Sequence, residues 1–177
     1  HLADLDNPSN IGTRAGERAV KRLNPGMVKS GQMPVVFDPR VGGSFVGHLL
    51  GGISGSAIAR KTSFLLESLG AQLFDSSISI IDDPHRMRGL GSRAFDGEGL
   101  PTTRRYIIEK GALTGWLMES ASARQLGLEP TGHASRGISG APSVSPSNVH
   151  LEGGSVSVTE LIADIKHGVY IHELAGQ

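Results

Sequence analysis

Two short β-branched runs, Ile78–Ile81 and Tyr106–Ile108, stand on either side of a long polar segment. That segment, Asp82 to Arg105, reads DDPHRMRGLGSRAFDGEGLPTTRR. Both runs read as strands because they are β-branched and end in turn residues. A fold containing them must therefore hold a long, charged, glycine-rich loop between two strands. Loops carried on a rigid scaffold are where binding sites concentrate. The same composition also suits a solvated loop, whose surface ion pairs contribute about 0–1 kcal/mol each.

A second constraint is the run from Val41 to Ala59, VGGSFVGHLLGGISGSAIA, nineteen residues without a formal charge. Its glycines and serines make it too weakly apolar for a membrane span, and it is expected to form a buried helix. Gly43, Gly47, Gly51 and Gly55 recur every fourth residue and form a stripe without side chains. An interior glycine costs a helix about 1 kcal/mol relative to alanine, so another backbone is expected to lie on the stripe. The pair Gly51-Gly52 also permits a break into loop.

The remaining elements follow from local signals. Ser9 or Asn10 is placed to cap a helix from Ile11 to Leu23, which Asn24-Pro25-Gly26 ends. Pro34–Phe37 reads as a short buried strand, and Lys61–Leu69 as a helix capped by Thr62 or Ser63 and closed by Gly70. Arg104–Glu109 turns through Lys110-Gly111 into Ala112–Met118, a two-residue hairpin. Ser120 is expected to cap a helix over 121–126, closed by Gly127. Residues 129–147 read as loop and Asn148–Leu151 as a strand. Ser157-Val-Thr-Glu160 has capping-box spacing and opens a helix to Lys166, followed by a strand over Val169–Leu174. No regular βαβ rhythm is present. The expected fold is one α+β region over 1–177, with a mixed, largely antiparallel sheet and packed helices, one of them glycine-rich.

Composition narrows the function classes. Lys plus Arg equals Asp plus Glu at 17 each, which gives no support for a nucleic-acid-binding surface. The absence of cysteine excludes disulfides, thiolate zinc sites and a cysteine nucleophile within these residues. The sequence opens without an initiator Met or leader pattern, so it is expected to be the middle part of a longer protein, with a cytoplasmic location and no membrane contact.

Several residues carry candidate chemistry. Asp82, Asp83 and His85 are able to ligate a divalent ion, although Asp-Asp-Pro more often starts a turn. Asp96-Gly97-Glu98-Gly99 forms a compact acidic turn. His133 and Arg136 lie in the Gly/Ser/Pro-rich segment, and no Gly-x-Ser-x-Gly elbow marks an activated serine. His172-Glu173 opens like a zinc-protease helix, but Gly176 and Gln177 occupy the places where a second His would fall, and the run reads as an edge strand. His48 has no acidic or His partner within a turn.

Taken together, FDPRVGGSFVGHLLGGISGSAIARKTSF, then IIDDPHRMRGLGSRAFDGEGLPTTRRYIIEKGALTGWLMESASARQLG, then TGHASRG resemble the PmbA/TldE branch of the TldD/PmbA family, known as modulators of DNA gyrase. The DGEG-x-P-x-x-RR loop with its hairpin is the most specific part. The resemblance implies a peptidase assembly whose TldD-type subunit carries His-Glu-x-x-x-His on a helix. Aligned through PVVFDP, those positions fall on Gly47, His48 and Gly52, so two ligands and the general base are missing. A catalytic zinc needs about three protein ligands. The resemblance thus implies a subunit with no cofactor or metal and no catalytic residue of its own. Zinc is expected in a TldD-type partner, peptides or unfolded proteins as substrates, and a homodimer as the other arrangement.

In that reading Asp82, Asp83, His85, Arg93, Asp96, Glu98, Arg104, Arg105, His133 and Arg136 shape a substrate cleft or the subunit contact. Two other readings stand beside it. One is a stand-alone hydrolase using Asp and His of the 82–136 loops. The other is a non-enzymatic regulator of gyrase, for which neutral charge argues against direct DNA contact.

Overall fold

The protein's structure, a computed structural model, describes residues 5–174. Its contacts divide the chain into two units at Met33/Pro34, and each is described by itself. In the first unit α1 runs Pro8–Lys21. It begins earlier than the expected Ser9 or Asn10 cap, because Asn7 caps it: the Asn7 side chain accepts from Ser9 N at 2.9 Å and Pro8 takes the first turn, where its missing N–H is harmless. None of its residues is buried.

The second unit starts with β1 (Val35–Phe37), α2 (Pro39–Gly52), α3 (Gly55–Ala59), β2 (Ile80–Asp82), β3 (Arg105–Glu109) and β4 (Ala112–Leu113). It continues with α4 (Ser120–Leu126), β5 (Ala134–Ser135), β6 (Ser143–Val144), β7 (Val149–Leu151), α5 (Val158–Ala163) and β8 (Val169–Ile171). The main sheet has the order β4-β3-β2-β7 and is antiparallel throughout. β1 pairs with β8 in parallel and β5 pairs with β6 antiparallel. This is the α+β class expected, with a mixed and largely antiparallel strand set.

The uncharged run is two helices. Ile53 and Ser54 leave the helical path, and the Leu117 backbone bonds there: Gly55 N donates to Leu117 O at 2.7 Å and Leu117 N donates to Ile53 O at 3.0 Å. Ile53 and Leu117 then lie in the core with Ile107, Ile108 and Leu113, all almost fully buried.

The glycine stripe is corrected as well. A Cβ on Gly43, Gly47 or Gly51 would meet nothing within 4 Å, so no other described backbone lies on them. Only Gly55 is closely packed. A Cβ there would fall 2.4 Å from Ser122 Oγ and 2.7 Å from Met118 Cγ, where α3 crosses α4.

Two further expectations fail for local reasons. Residues 61–69 form turns rather than a helix. Lys61 takes a left-handed φ of 58°, and Ser63 Oγ donates to Gly52 O at 2.5 Å while accepting from Leu65 N at 2.9 Å. β1 is not a buried strand, since among the described residues β8 is its one strand neighbour and Val35 and Phe37 are exposed. The hairpin turn forms as read, with Lys110 and Gly111 both at positive φ as a primed turn requires, but its second strand stops at Leu113 rather than Met118. The Ser157–Glu160 capping box also forms, although α5 stops at Ala163.

The glycine contacts give opposite expectations along one run. Gly47→Ala, on an open helical face, stabilises the full-length protein by about 1 kcal/mol. Gly55→Ala destabilises it by about 1–3 kcal/mol through overpacking. Urea unfolding of the two variants beside the parent checks both signs.

Candidate functional site

β2 ends by carrying Asp82 into the interior, and the chain folds two further segments around that carboxylate. Its neighbours are His133, just before β5, and Ser147, just before β7. His133 Nε2 donates to Asp82 Oδ2 at 2.9 Å. Ser147 N donates to Oδ1 at 2.9 Å and to Oδ2 at 3.1 Å, and the Ser147 hydroxyl donates to Oδ1. Asp82 is 1% exposed and His133 3%. Burial pushes the Asp82 carboxyl up, but the bonds from His133 and Ser147 outweigh it and hold the group below the ordinary carboxylate range.

On its far side, His133 Nδ1 meets Thr131 Oγ1 at 2.8 Å. Thr131 Oγ1 also accepts from Met118 N at 2.7 Å. The chain of bonds thus runs from β2 through the imidazole to the backbone that follows β4. Both imidazole nitrogens are used, and the Ser147 hydroxyl serves Asp82 rather than His133. No hydroxyl is presented to a free base here, so the geometry does not form the nucleophile–base pair that a stand-alone hydrolase needs.

The other expected site residues have separate tasks. Asp83 Oδ1 accepts from His85 N at 3.0 Å in a turn. His85 is exposed and its Nε2 lies 3.3 Å from Thr102 Oγ1. Asp96 is buried: Oδ1 accepts from Glu98 N and Leu100 N at 2.9 Å, and Oδ2 from Ala134 N at 3.0 Å. Burial raises its pKa, but these three N–H groups and the Arg93 charge bring it below the ordinary value.

Glu98 turns the other way, and its Oε2 accepts from Ser120 N at 2.9 Å and Ser120 Oγ at 2.7 Å. Arg93 donates to Ser145 O at 2.6 Å. Arg104 lies over the Tyr106 ring at 5.4 Å. Arg136 is exposed, with its backbone against Gly97. Arg105 faces Asp82 in the β2–β3 register. The structure therefore unites Asp82, His133 and Arg105 and sets Asp96 behind them. Asp83, His85, Glu98 and Arg136 do not join them.

Four contributors have no sequence signature. Ser147 and Thr131 complete the Asp82–His133 chain. Asn148 staples the loop, with Oδ1 accepting from Gly91 N at 2.9 Å and Nδ2 donating to Asp83 O at 2.7 Å and Ser92 Oγ at 2.9 Å. Glu119, not Ser120, caps α4 by accepting from Ser122 N at 2.9 Å.

On α2, Gly47 and His48 are exposed and Gly52 is buried. Among the described residues no three His, Cys, Asp or Glu side chains gather where they could hold an ion. Both expected ligand positions, Gly47 and Gly52, lack a side-chain donor, so these residues do not fit a catalytic zinc. His172 Nδ1 instead approaches Asp38 Oδ2 at 3.6 Å. No described helix is long and apolar enough to cross a membrane.

The sequence pattern of the PmbA/TldA metallopeptidase C-terminal domain matches residues 30–177, and the chain belongs to that family. It is 39% identical to the metalloprotease PmbA of Escherichia coli O157:H7 over 176 residues, covering 99% of this chain and 37% of that protein. It is 36% identical to a Haemophilus influenzae PmbA homolog, covering 98% and 37%.

Among solved structures, a proposed modulator of DNA gyrase from Bacteroides thetaiotaomicron superposes with a TM-score of 0.87 at 29% identity, covering 99% of this chain and 37% of the other. TldE from Thermococcus kodakarensis gives 0.78 at 30% identity, covering 91% and 38%. The chain thus spans little more than a third of these relatives.

The Asp82 network carries a pH signature. Asp82 and Asp96 both bind protons more weakly folded than unfolded, so their stabilisation is complete above about pH 4, near the ordinary value of 3.8, and is lost as pH falls through their folded pKa values. Asp82→Asn in the full-length protein lowers stability at neutral pH by about 2–4 kcal/mol. It also flattens the acid limb of a stability–pH profile taken by urea unfolding.

Proposed function

We propose that this chain is part of a non-metal subunit that pairs with a TldD-type metallopeptidase subunit, and that the pair processes peptides or unfolded proteins in the cytoplasm. The observation that carries the reading is α2 itself. It has Gly47, His48 and Gly52 where a His-Glu-x-x-x-His helix would place its two ligands and its base. A subunit of a metallopeptidase family whose metal helix has no donor set contributes something other than the metal.

Membership of the PmbA/TldA metallopeptidase family and similarity to a solved TldE support this assignment. In this reading the zinc belongs to the partner. The loop between β2 and β3 supplies a stiff surface to substrate or partner rather than reacting groups, because Asp82, Asp96 and Glu98 are already bonded inside the fold. A homodimer is the arrangement that remains when the partner is absent.

The test is cleavage of an unstructured peptide by the full-length protein, alone and mixed with a His-Glu-x-x-x-His subunit from the same cell. Cleavage is expected only in the mixture and is abolished by a chelator, and the protein purified alone carries less than stoichiometric zinc. Cleavage by the protein alone, or stoichiometric tightly held zinc, would refute the assignment.

A further inference from the structure

From the position of Arg105 we infer a carboxylate-binding subsite at the diverging end of the β3–β4 hairpin, which receives the C-terminal residue of a peptide. β3 and β4 pair only at Ile108↔Leu113 and Glu109↔Ala112. Beyond Thr114, which donates from N to Ile107 O and from its hydroxyl to Tyr106 O, the following segment leaves the sheet. A cavity of about 280 Å³ opens in the gap, lined among others by Arg105, Tyr106, Ile107, Trp116 and Leu117. This volume lies just under the range of about 300–1,000 Å³ usual for small-molecule sites, enough for one terminal residue rather than a long segment.

Arg105 gives the cavity its chemistry. It stands opposite Asp82 in the strand register, where a salt bridge would be expected, yet it makes no ion pair among the described residues. Asp82 has already committed its oxygens to His133 and Ser147. Arg105 Nε is buried without a hydrogen-bond partner, and its terminal nitrogen has one long contact, 3.4 Å to Thr103 Oγ1. Burial depresses its pKa, with the Asp82 charge acting in the opposite direction.

A half-buried guanidinium with no carboxylate partner among the described residues suits a carboxylate, which its two terminal nitrogens bind through parallel bonds. Glu109, also on the cavity wall, sits four residues along β3, about 13 Å away at the usual strand rise. An anion is therefore favoured at the Arg105 end alone. Ile107, Trp116 and Leu117 offer an apolar wall to the side chain of the terminal residue.

The inference rests on the peptide-handling reading above for the class of ligand, whereas carboxylate recognition stands on Arg105 itself. Calorimetric titration of the full-length protein tests it, with an N-acetylated tripeptide ending in Leu as the free acid, the same peptide as its amide, and sodium acetate. The free acid is expected to bind about ten- to a hundredfold more tightly than the amide, the range for a charge-assisted bond, and more tightly than acetate. Arg105→Gln loses that difference, while Arg105→Lys, which keeps the charge without the fork, retains part of it. Equal binding of acid and amide, equal binding of acetate and peptide acid, or unchanged selectivity in Arg105→Gln overturns it. Loss of this selectivity with partner-dependent cleavage intact defeats the subsite alone. Retained selectivity without cleavage in the mixture defeats the subunit assignment alone.

Discussion

The fold depends on one buried charge. Asp82 ends the central strand β2 with a carboxylate shielded from water, and an isolated charge in that position would be strongly destabilising. It is tolerated because residues far along the chain bring it N–H and O–H donors. His133 comes from the segment before β5, and Ser147 from the turn into β7, which in turn pairs with β2. The same approach of β7 places Asn148 against the loop, where it bonds Gly91, Asp83 and Ser92. Satisfying one carboxylate therefore fixes the loop after β2 and both ends of the 134–147 segment together.

Local signals in the sequence were sufficient for the local parts of this arrangement. The β-branched runs at 78–81 and 106–108 mark the two central strands, Lys110-Gly111 marks the hairpin and Ser157–Glu160 marks a formed capping box. Fold class was readable for the same reason, and the family from the resemblance carried by the DGEG-x-P-x-x-RR loop and its flanking segments. The partnership of Asp82 with His133 was not, because it spans 51 residues and depends on tertiary approach. Asp82, His133 and Arg105 were all identifiable as candidates, but nothing in their spacing distinguishes a reacting group from a structural one.

The failures have a common physical origin. A helix over 61–69 was reasonable by composition, but Ser63 satisfies Gly52 O and Leu65 N instead of capping a helix. Ser120 has the preferred cap chemistry, yet Glu119 reaches the Ser122 amide and Glu98 takes Ser120. The uncharged run divides because Leu117 bonds the backbone at Ile53 and Gly55. In each case a contact from elsewhere in the chain overrides local preference. The same contacts move Asp96 and Glu98 out of any open cleft and leave Arg105, which stands opposite Asp82 without an ion pair among the described residues, with unused binding capacity.

Asp82 clamps separate segments as one structural unit. Hydrogen–deuterium exchange of the full-length protein and its Asp82→Asn variant tests it most directly. Amides of 83–104 and of 131–148 are expected to lose protection together, while β1, β8 and α5 keep theirs. Protection lost only at residues adjoining position 82, with the 131–148 segment unchanged, would contradict it.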